Sequence, residues 1–291
     1  MDAFGNELVN ELEKVLGDGF SVHLEKVRKN NDVLLDAIAV RQEKSALTTL
    51  LYPRESYKEY ARGASITDLA EQMAEQYRKA AAEAEIPEDF LEEYDKVKSR
   101  IFCKLVNYKM NKELLKHVPH KRIWEDLCLI GYYEMEPGCL GNATVRIDRR
   151  LVEKWGITEA EFLDHAMENT MRERGPVFRS LRSVLREYDL GVPESEDEEE
   201  ELYMLTTKDR NLGTVCILYP GIREQIAEML HADLLLLPSS IHEWLILADK
   251  GGYSEEDINQ MIREINHSQV IPEEILSDHV YRYHRSCVNA V

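Results

Sequence analysis

Apolar residues at helical spacing open the chain: Phe4, Leu8, Leu12, Val15 and Leu16 predict an amphipathic helix over Asp2–Leu16, stopped by Gly17-Asp18-Gly19. Two strand-like runs follow, 20–27 and 33–40. The Lys29-Asn30-Asn31-Asp32 between them predicts a hairpin turn, because asparagine tolerates positive φ. A third run, 48–52, ends at Pro53. Helices are expected over 54–61, 65–85 and 88–98, the second opened by Ser65 with Asp68 three residues on as a capping signal. Runs 100–108, 125–133 and 143–147 read as strands, with a short helix near 112–116 and a turn at Pro137-Gly138. Helical patterns return at 149–155, 158–169 and 177–188.

The acidic run 194–201, broken only by Ser195 and preceded by Gly191 and Pro193, is the clearest break in composition. Such a block reads as a solvated linker, the other reading being a binding tail. Beyond it come a strand at 202–207, a turn around Asn211-Leu212-Gly213, a strand at 214–219, a helix at 221–230, two strands meeting at Pro238-Ser239-Ser240, and a helix at 254–266. Four successive leucines, Leu234 to Leu237, predict a strand buried on both faces, since a half-exposed strand would alternate. This C-terminal order is ββαββα. Hairpins rather than strict βαβ alternation predict an α+β fold with mostly antiparallel sheets: an N-terminal portion 1–190, an acidic linker 191–201 and a C-terminal portion 202–291, packed as one body.

Composition narrows the class of function. A chain of 291 residues, 44% hydrophobic and 31% charged, can bury a core without staples. A formal charge of −19 repels phosphate backbones and anionic membranes, and the best basic patch, around Arg149-Arg150, is short; neither a nucleic-acid nor a membrane partner is expected. With no leader and no apolar run near the ~18 residues of a membrane span, a cytoplasmic protein is expected. Five cysteines, an odd number without a C-x-x-C pair, argue against both a disulfide framework and a zinc ribbon. Cys103, Cys128 and Cys216 read as small core residues, while Cys139 and Cys287 lie in irregular surroundings.

Most chemical motifs are absent. Gly17-x-Gly19 lacks the third glycine of a dinucleotide loop, and neither G-x-x-x-x-G-K nor G-x-S-x-G occurs. His242-Glu243 begins an H-E-x-x-H pattern, but Ile246 occupies the second histidine position; His117-x-x-His120 contains Pro119. No cofactor and no metal is therefore expected. Two readings remain. In one, Ser239 or Ser240 is a nucleophile or binding hydroxyl with His242 as base and Glu243 or a residue from another segment orienting it, a hydrolase-type site in which a serine at the turn must curl over the imidazole. The plainer version has Pro238-Ser239-Ser240 closing a turn through its hydroxyls. If 241–247 is a strand, Glu243 shares a face with Ile241, Leu245 and Leu247, and His242 shares the other with Trp244 and Ile246. In the second reading the protein is a non-catalytic binding or regulatory module. Its acidic surface and fourteen tyrosines then meet a protein or peptide partner, although aromatic positions more often fill a core.

A set of residues spread along the chain adds to this: Lys29-Asn30-Asn31, Asn107-x-x-x-Asn111-x-x-Leu114-Leu115, Val118-Pro119-His120, Asn169-Thr170, Leu202-Tyr203-x-Leu205-Thr206, Tyr219-Pro220-Gly221, Leu237 to Glu243, and Leu276-Ser277-Asp278-x-Val280-Tyr281-x-Tyr283. With these the chain resembles an uncharacterised bacterial domain-of-unknown-function family of gut Firmicutes. The resemblance spans nearly the full length and implies one architectural unit; it implies no activity. Thr207 and Thr214 depart from it, standing where an asparagine and an alanine are expected. The asparagines Asn30, Asn31, Asn107 and Asn169 are candidate binding residues. Should they meet His242 and Glu243 around one pocket, they would supply amide donors beside an acid/base pair.

Overall fold

The computed structural model describes residues 2–43, 48–81, 90–135, 144–188 and 202–285. The opening helix α1 (Asp2–Leu16) buries Phe4, Leu8 and Leu12 as its spacing predicts. Strands β1 (Phe20–Arg28) and β2 (Leu34–Gln42) pair antiparallel, from Phe20 opposite Gln42 to Arg28 opposite Leu34, and β3 (Thr49–Leu51) extends the sheet beyond β2. At the hairpin turn Asn31 and Asp32 take φ of 58° and 53°, the left-handed region that short polar side chains visit at least cost. Two helices follow, α2 (Arg54–Ala61) and α3 (Ile66–Ala81). The latter lays Leu69, Met73 and Tyr77 against α1 and the sheet to form a separate apolar core.

Of the helix expected over 88–98, the described part is a turn at 90–92 and the single helical turn α4 (Tyr94–Val97). A second antiparallel sheet is built from β4 (Ile101–Asn107), β5 (His120–Arg122), β6 (Leu127–Glu134) and β7 (Thr144–Arg146), with β6 paired to the other three. Two helices come next, α5 (Arg149–Lys154) and α6 (Glu159–Glu173). The second is fixed at its start by a capping box between Thr158 and Glu161. Gly131 lets α6 approach β6: a Cβ there would lie 2.4 Å from the Phe162 ring.

The pattern at 177–188 resolves into strand β8 (Pro176–Ser180) and helix α7 (Leu181–Glu187), the change marked by Ser180 capping the Ser183 N–H. The acidic run and the Pro137-Gly138 turn lie outside the described residues. After the run, β9 (Tyr203–Thr207) pairs with β8, so strands from both sides of it share a sheet. The strand expected at 214–219 is instead a 3-10 segment over Gly213–Leu218, buried against β9 and β4. Helix α8 (Ile222–Leu230), strands β10 (Asp233–Pro238) and β11 (Trp244–Asp249), helix α9 (Glu255–Gln269) and strand β12 (Tyr281–Tyr283) complete the chain. The third sheet is antiparallel with order β12-β10-β11-β9-β8, giving the α+β class. All of Leu234 to Leu237 is buried: Leu234 and Leu236 face the main core, while Leu235 and Leu237 meet Ile258 and Ile262 of α9.

Candidate functional site

The turn between β10 and β11 is where sequence chemistry concentrates. Strand β11 begins only at Trp244, so His242 and Glu243 lie in a loop and the two-face assignment for them does not apply. Ser240 Oγ accepts from the His242 backbone N–H at 3.0 Å, closing the turn. Ser239 Oγ reaches Glu243 Oε1 at 3.4 Å. The imidazole points elsewhere: Nδ1 accepts from the Leu212 N–H at 3.1 Å, and Nε2 lies 3.4 Å from Glu274. Neither of those partners is a serine, and the carboxylate beside the ring is Glu274, not Glu243.

The loop backbone is held as firmly. The His242 carbonyl accepts from Thr206 Oγ1 at 2.8 Å and from the Gly213 N–H at 2.9 Å, and Thr214 Oγ1 donates to the Ile241 carbonyl at 2.8 Å. Thr214, one of the two departures from the expected pattern, thus performs a hydrogen bond that alanine cannot. Thr207, the other, donates to the Asn211 carbonyl at 3.2 Å.

The segment 272–277 gathers residues remote in sequence. Asn30 Nδ2 donates to the Glu273 carbonyl at 2.8 Å, and Asn31 Nδ2 donates to the carbonyls of Pro272 and Ile275 at 2.8 and 2.6 Å. Asn107 Nδ2 donates to the Leu276 carbonyl at 2.9 Å, and the Ile241 N–H to that of Glu274 at 2.8 Å. Asn111, fully buried, joins Asn31 and Asn107 by accepting the Asn31 N–H and donating to the Asn31 side chain and the Asn107 carbonyl. Three of the four candidate asparagines therefore converge with His242 on one stretch of backbone, which their amides clamp. Asn169 does not join them: it donates to the Lys98 and Ile101 carbonyls at the start of β4.

Next to this clamp lies a group that sequence reasoning does not single out. Asp126, 4% exposed, accepts from Asn107 Nδ2 at 3.1 Å, Ser277 Oγ at 2.7 Å and the Tyr281 hydroxyl at 2.5 Å. Three donors satisfy the buried charge. Burial, reinforced by the Asp126 carboxylate, pushes the Tyr281 phenol far above its usual range and keeps it a donor. Ser277 Oγ also lies 3.0 Å from His279 Nδ1, but the serine is wholly buried and its hydroxyl already spans the carboxylate and the imidazole, an arrangement that holds a loop.

Tyr281 carries this cluster to an open pocket of about 330 Å³ along β12, walled by Trp124, Tyr281 and Tyr283 and lined by Arg223, His279 and Arg282. Trp124 packs on Tyr281 at 5.0 Å between ring centroids. Arg282 is bound to Asp249 at 2.9 Å, whereas Arg223, its guanidinium 5.3 Å from the Tyr283 ring, has a buried Nε without a hydrogen-bond partner among the described residues. Beyond β12 no further strand pairs among the described residues. Nor, among them, does any group of three or more His, Cys, Asp or Glu side chains stand ready to hold a metal.

A family described as "Family of unknown function (DUF5688)" matches residues 1–285. The chain belongs to this family. No curated protein and no solved structure matches it. For this DUF5688 protein the family match assigns no activity, so the chemistry rests on the geometry above. Among the described residues no helix is long and apolar enough to cross a membrane.

Proposed function

We propose that the protein is a non-catalytic, cytoplasmic binding or regulatory protein whose partner is a peptide or protein segment lying extended along the outer edge of β12. The observation that carries this is the pocket at that edge, lined by Arg223 beside the Tyr283 ring, with the buried Nε of Arg223 lacking a hydrogen-bond partner among the described residues. A short edge strand offers backbone donors and acceptors to an incoming strand, while flanking pockets read alternate side chains. Arg223 selects a carboxylate, from aspartate, glutamate or a chain terminus, and Trp124, Tyr281 and Tyr283 supply rigid aromatic contact area. The buried thiols of Cys103, Cys128 and Cys216 suit a reducing compartment. A hydrolytic reading of Ser239, Ser240, His242 and Glu243 has less support, because the His242 ring nitrogens already face the Leu212 N–H and Glu274.

Random peptides displayed on phage and panned against the wild type and the Arg223→Ala variant test the reading. Enriched peptides carrying a carboxylate, with affinity on the order of tenfold weaker for a variant of unchanged melting temperature, are expected. Enrichment that is equal on both proteins, or absent on both, overturns it.

A further inference from the structure

The fold assembles a basic strip that the sequence shows only in pieces. Strands β5 and β7 lie end to end along one side of β6, with Arg122, His120 and Arg146 opposite Cys128, Ile130 and Tyr132. Those three partners alternate along β6, so the three basic side chains share one face of the sheet at intervals of about 7 Å. Lys121 stands between Arg122 and His120 on the other face. The start of α5 is tied beside them, its Arg149 N–H donating to the His117 carbonyl at 2.9 Å, which brings in Arg150. Arg122 is held in place: its guanidinium lies over the Tyr108 ring at 4.6 Å and donates to the Glu125 carbonyl. Neither β5 nor β7 pairs with a further strand among the described residues.

The neighbouring carboxylates are already taken. Glu113 holds Lys116, Glu125 holds Lys109 and Glu159 holds Arg149, while Asp148 caps α5 by accepting the Leu151 N–H. Among the described residues no carboxylate pairs with Lys121, Arg122, Arg146 or Arg150, all of them exposed. Uncompensated cations gathered on one edge, in a chain of net charge −19, mark a surface whose counter-charges come from another molecule.

We propose that this strip docks an extended acidic segment of a partner protein, with aspartate or glutamate at every second position. The surface is separate from the β12 edge and independent of the reading given there. Alternate side chains of an extended segment stand about 7 Å apart on one side, which is the interval of Arg122, His120 and Arg146. The guanidinium groups at the two ends of the row suit carboxylates, which they bind through two parallel N–H bonds. Length favours a polypeptide over a nucleic acid. From Arg122 to Arg146 the row spans about 14 Å, enough for three alternate carboxylates. A duplex, with one charge per about 1.7 Å of its axis, would run beyond the row on to an acidic surface. Tyr108, the aromatic ring at the row, has Arg122 over its face instead of an opening for a base.

The test is fluorescence anisotropy of a short labelled peptide of alternating glutamate and threonine, titrated with the full-length protein at low salt. Binding to the wild type is expected, weakened more than about tenfold by Lys121→Glu with Arg146→Glu and unchanged by Lys14→Glu with Lys58→Glu, which reverse exposed lysines elsewhere. A second readout needs no variant: carbodiimide joins the bound glutamates to nearby amines of the wild type, and mass spectrometry is expected to find the peptide on Lys121 well above Lys14 and Lys58. No binding to the wild type, equal binding by the Lys121/Arg146 variant at unchanged melting temperature, or crosslinks spread evenly over the three lysines overturns the proposal. So does an oligothymidylate of equal length that binds as tightly as the peptide, which assigns the strip to nucleic acid.

Discussion

At the residue scale two positions carry constraints that no neighbour can relax. Gly213 is one: a Cβ there would sit 2.4 Å from Thr206 Oγ1, 2.6 Å from the Thr207 nitrogen and 2.7 Å from the His242 carbonyl oxygen, and two of these are backbone atoms. Gly213→Ala is expected to lower stability by about 1–3 kcal/mol in urea unfolding, by displacing the His242 loop. At Gly131 the obstacle is a ring that can tilt, so the same substitution there should cost less. Asp126 is the other position. Asp126→Ala strands the donors of Asn107, Ser277 and Tyr281 and should cost on the order of 3 kcal/mol; Tyr281→Phe, which removes one of the three bonds, should cost about half as much. Equal losses for the two variants would show that the Tyr281 bond alone carries the effect and contradict the share given to Asn107 and Ser277. The carboxylate lies just ahead of the apolar run that forms β6, and nothing in its sequence surroundings distinguishes it from a solvated loop aspartate. Its partners are 19 and 151–155 positions away, so only the fold brings them together.

At the element scale the hairpin turn works as a plug. Asn31 combines left-handed backbone with two amide bonds to 272–275, and Asp32 accepts the N–H groups of Glu113 and Leu114 at 2.8 and 3.1 Å. Asn31→Ala should therefore loosen β1–β2 against the rest of the molecule: amide exchange at residues 22–40 and 272–276 rises together while β4 and β6 keep their protection. Sequence pattern finds the elements with a long amphipathic repeat or a long apolar run, such as α1, whose bounds it gives to the residue, and the four buried leucines of β10. It misses β5 and β12, because three residues are too few for a period, and reads β8 as the start of a helix because Val177, Leu181 and Val184 happen to fall at helical spacing. The run Thr214 to Leu218 looks like a strand from its β-branched residues, yet full burial on every side rewards the same apolar composition in a 3-10 coil. The convergence of Asn30, Asn31 and Asn107 was legible only as a question, since an asparagine that grips a carbonyl and one that faces solvent look alike in sequence.

At the scale of the whole molecule, the main core draws on residues from Val97 to Leu276, and β8 and β9 join across the acidic run. Fragments 1–190 and 202–291 made separately should each lose cooperative thermal unfolding and regain it when mixed only if β8 can re-pair with β9. The buried thiols add a dependence on alkaline pH. Burial raises Cys103, Cys128 and Cys216 from 9.0 to about 12, so above pH 9 the unfolded chain has released protons that the folded chain retains. Their contribution is complete below pH 9 and declines as pH rises toward 12; a denaturation midpoint that stays flat across that interval in wild type, or falls as steeply with all three replaced by alanine, contradicts this.

The clamp on 272–277 also fixes when the molecule can become itself. Asn30 and its carbonyl partner are 243 positions apart, and Asp126 waits for a serine 151 residues downstream. During synthesis at roughly 5–20 residues per second, the hairpin turn and the Asp126 carboxylate emerge early and stay without their C-terminal partners until residues 272–281 have cleared the ribosome. A chain lacking that stretch leaves Asp126 without two of its three donors and the asparagine amides without their carbonyls, and it is expected to be cleaved faster than one that contains it.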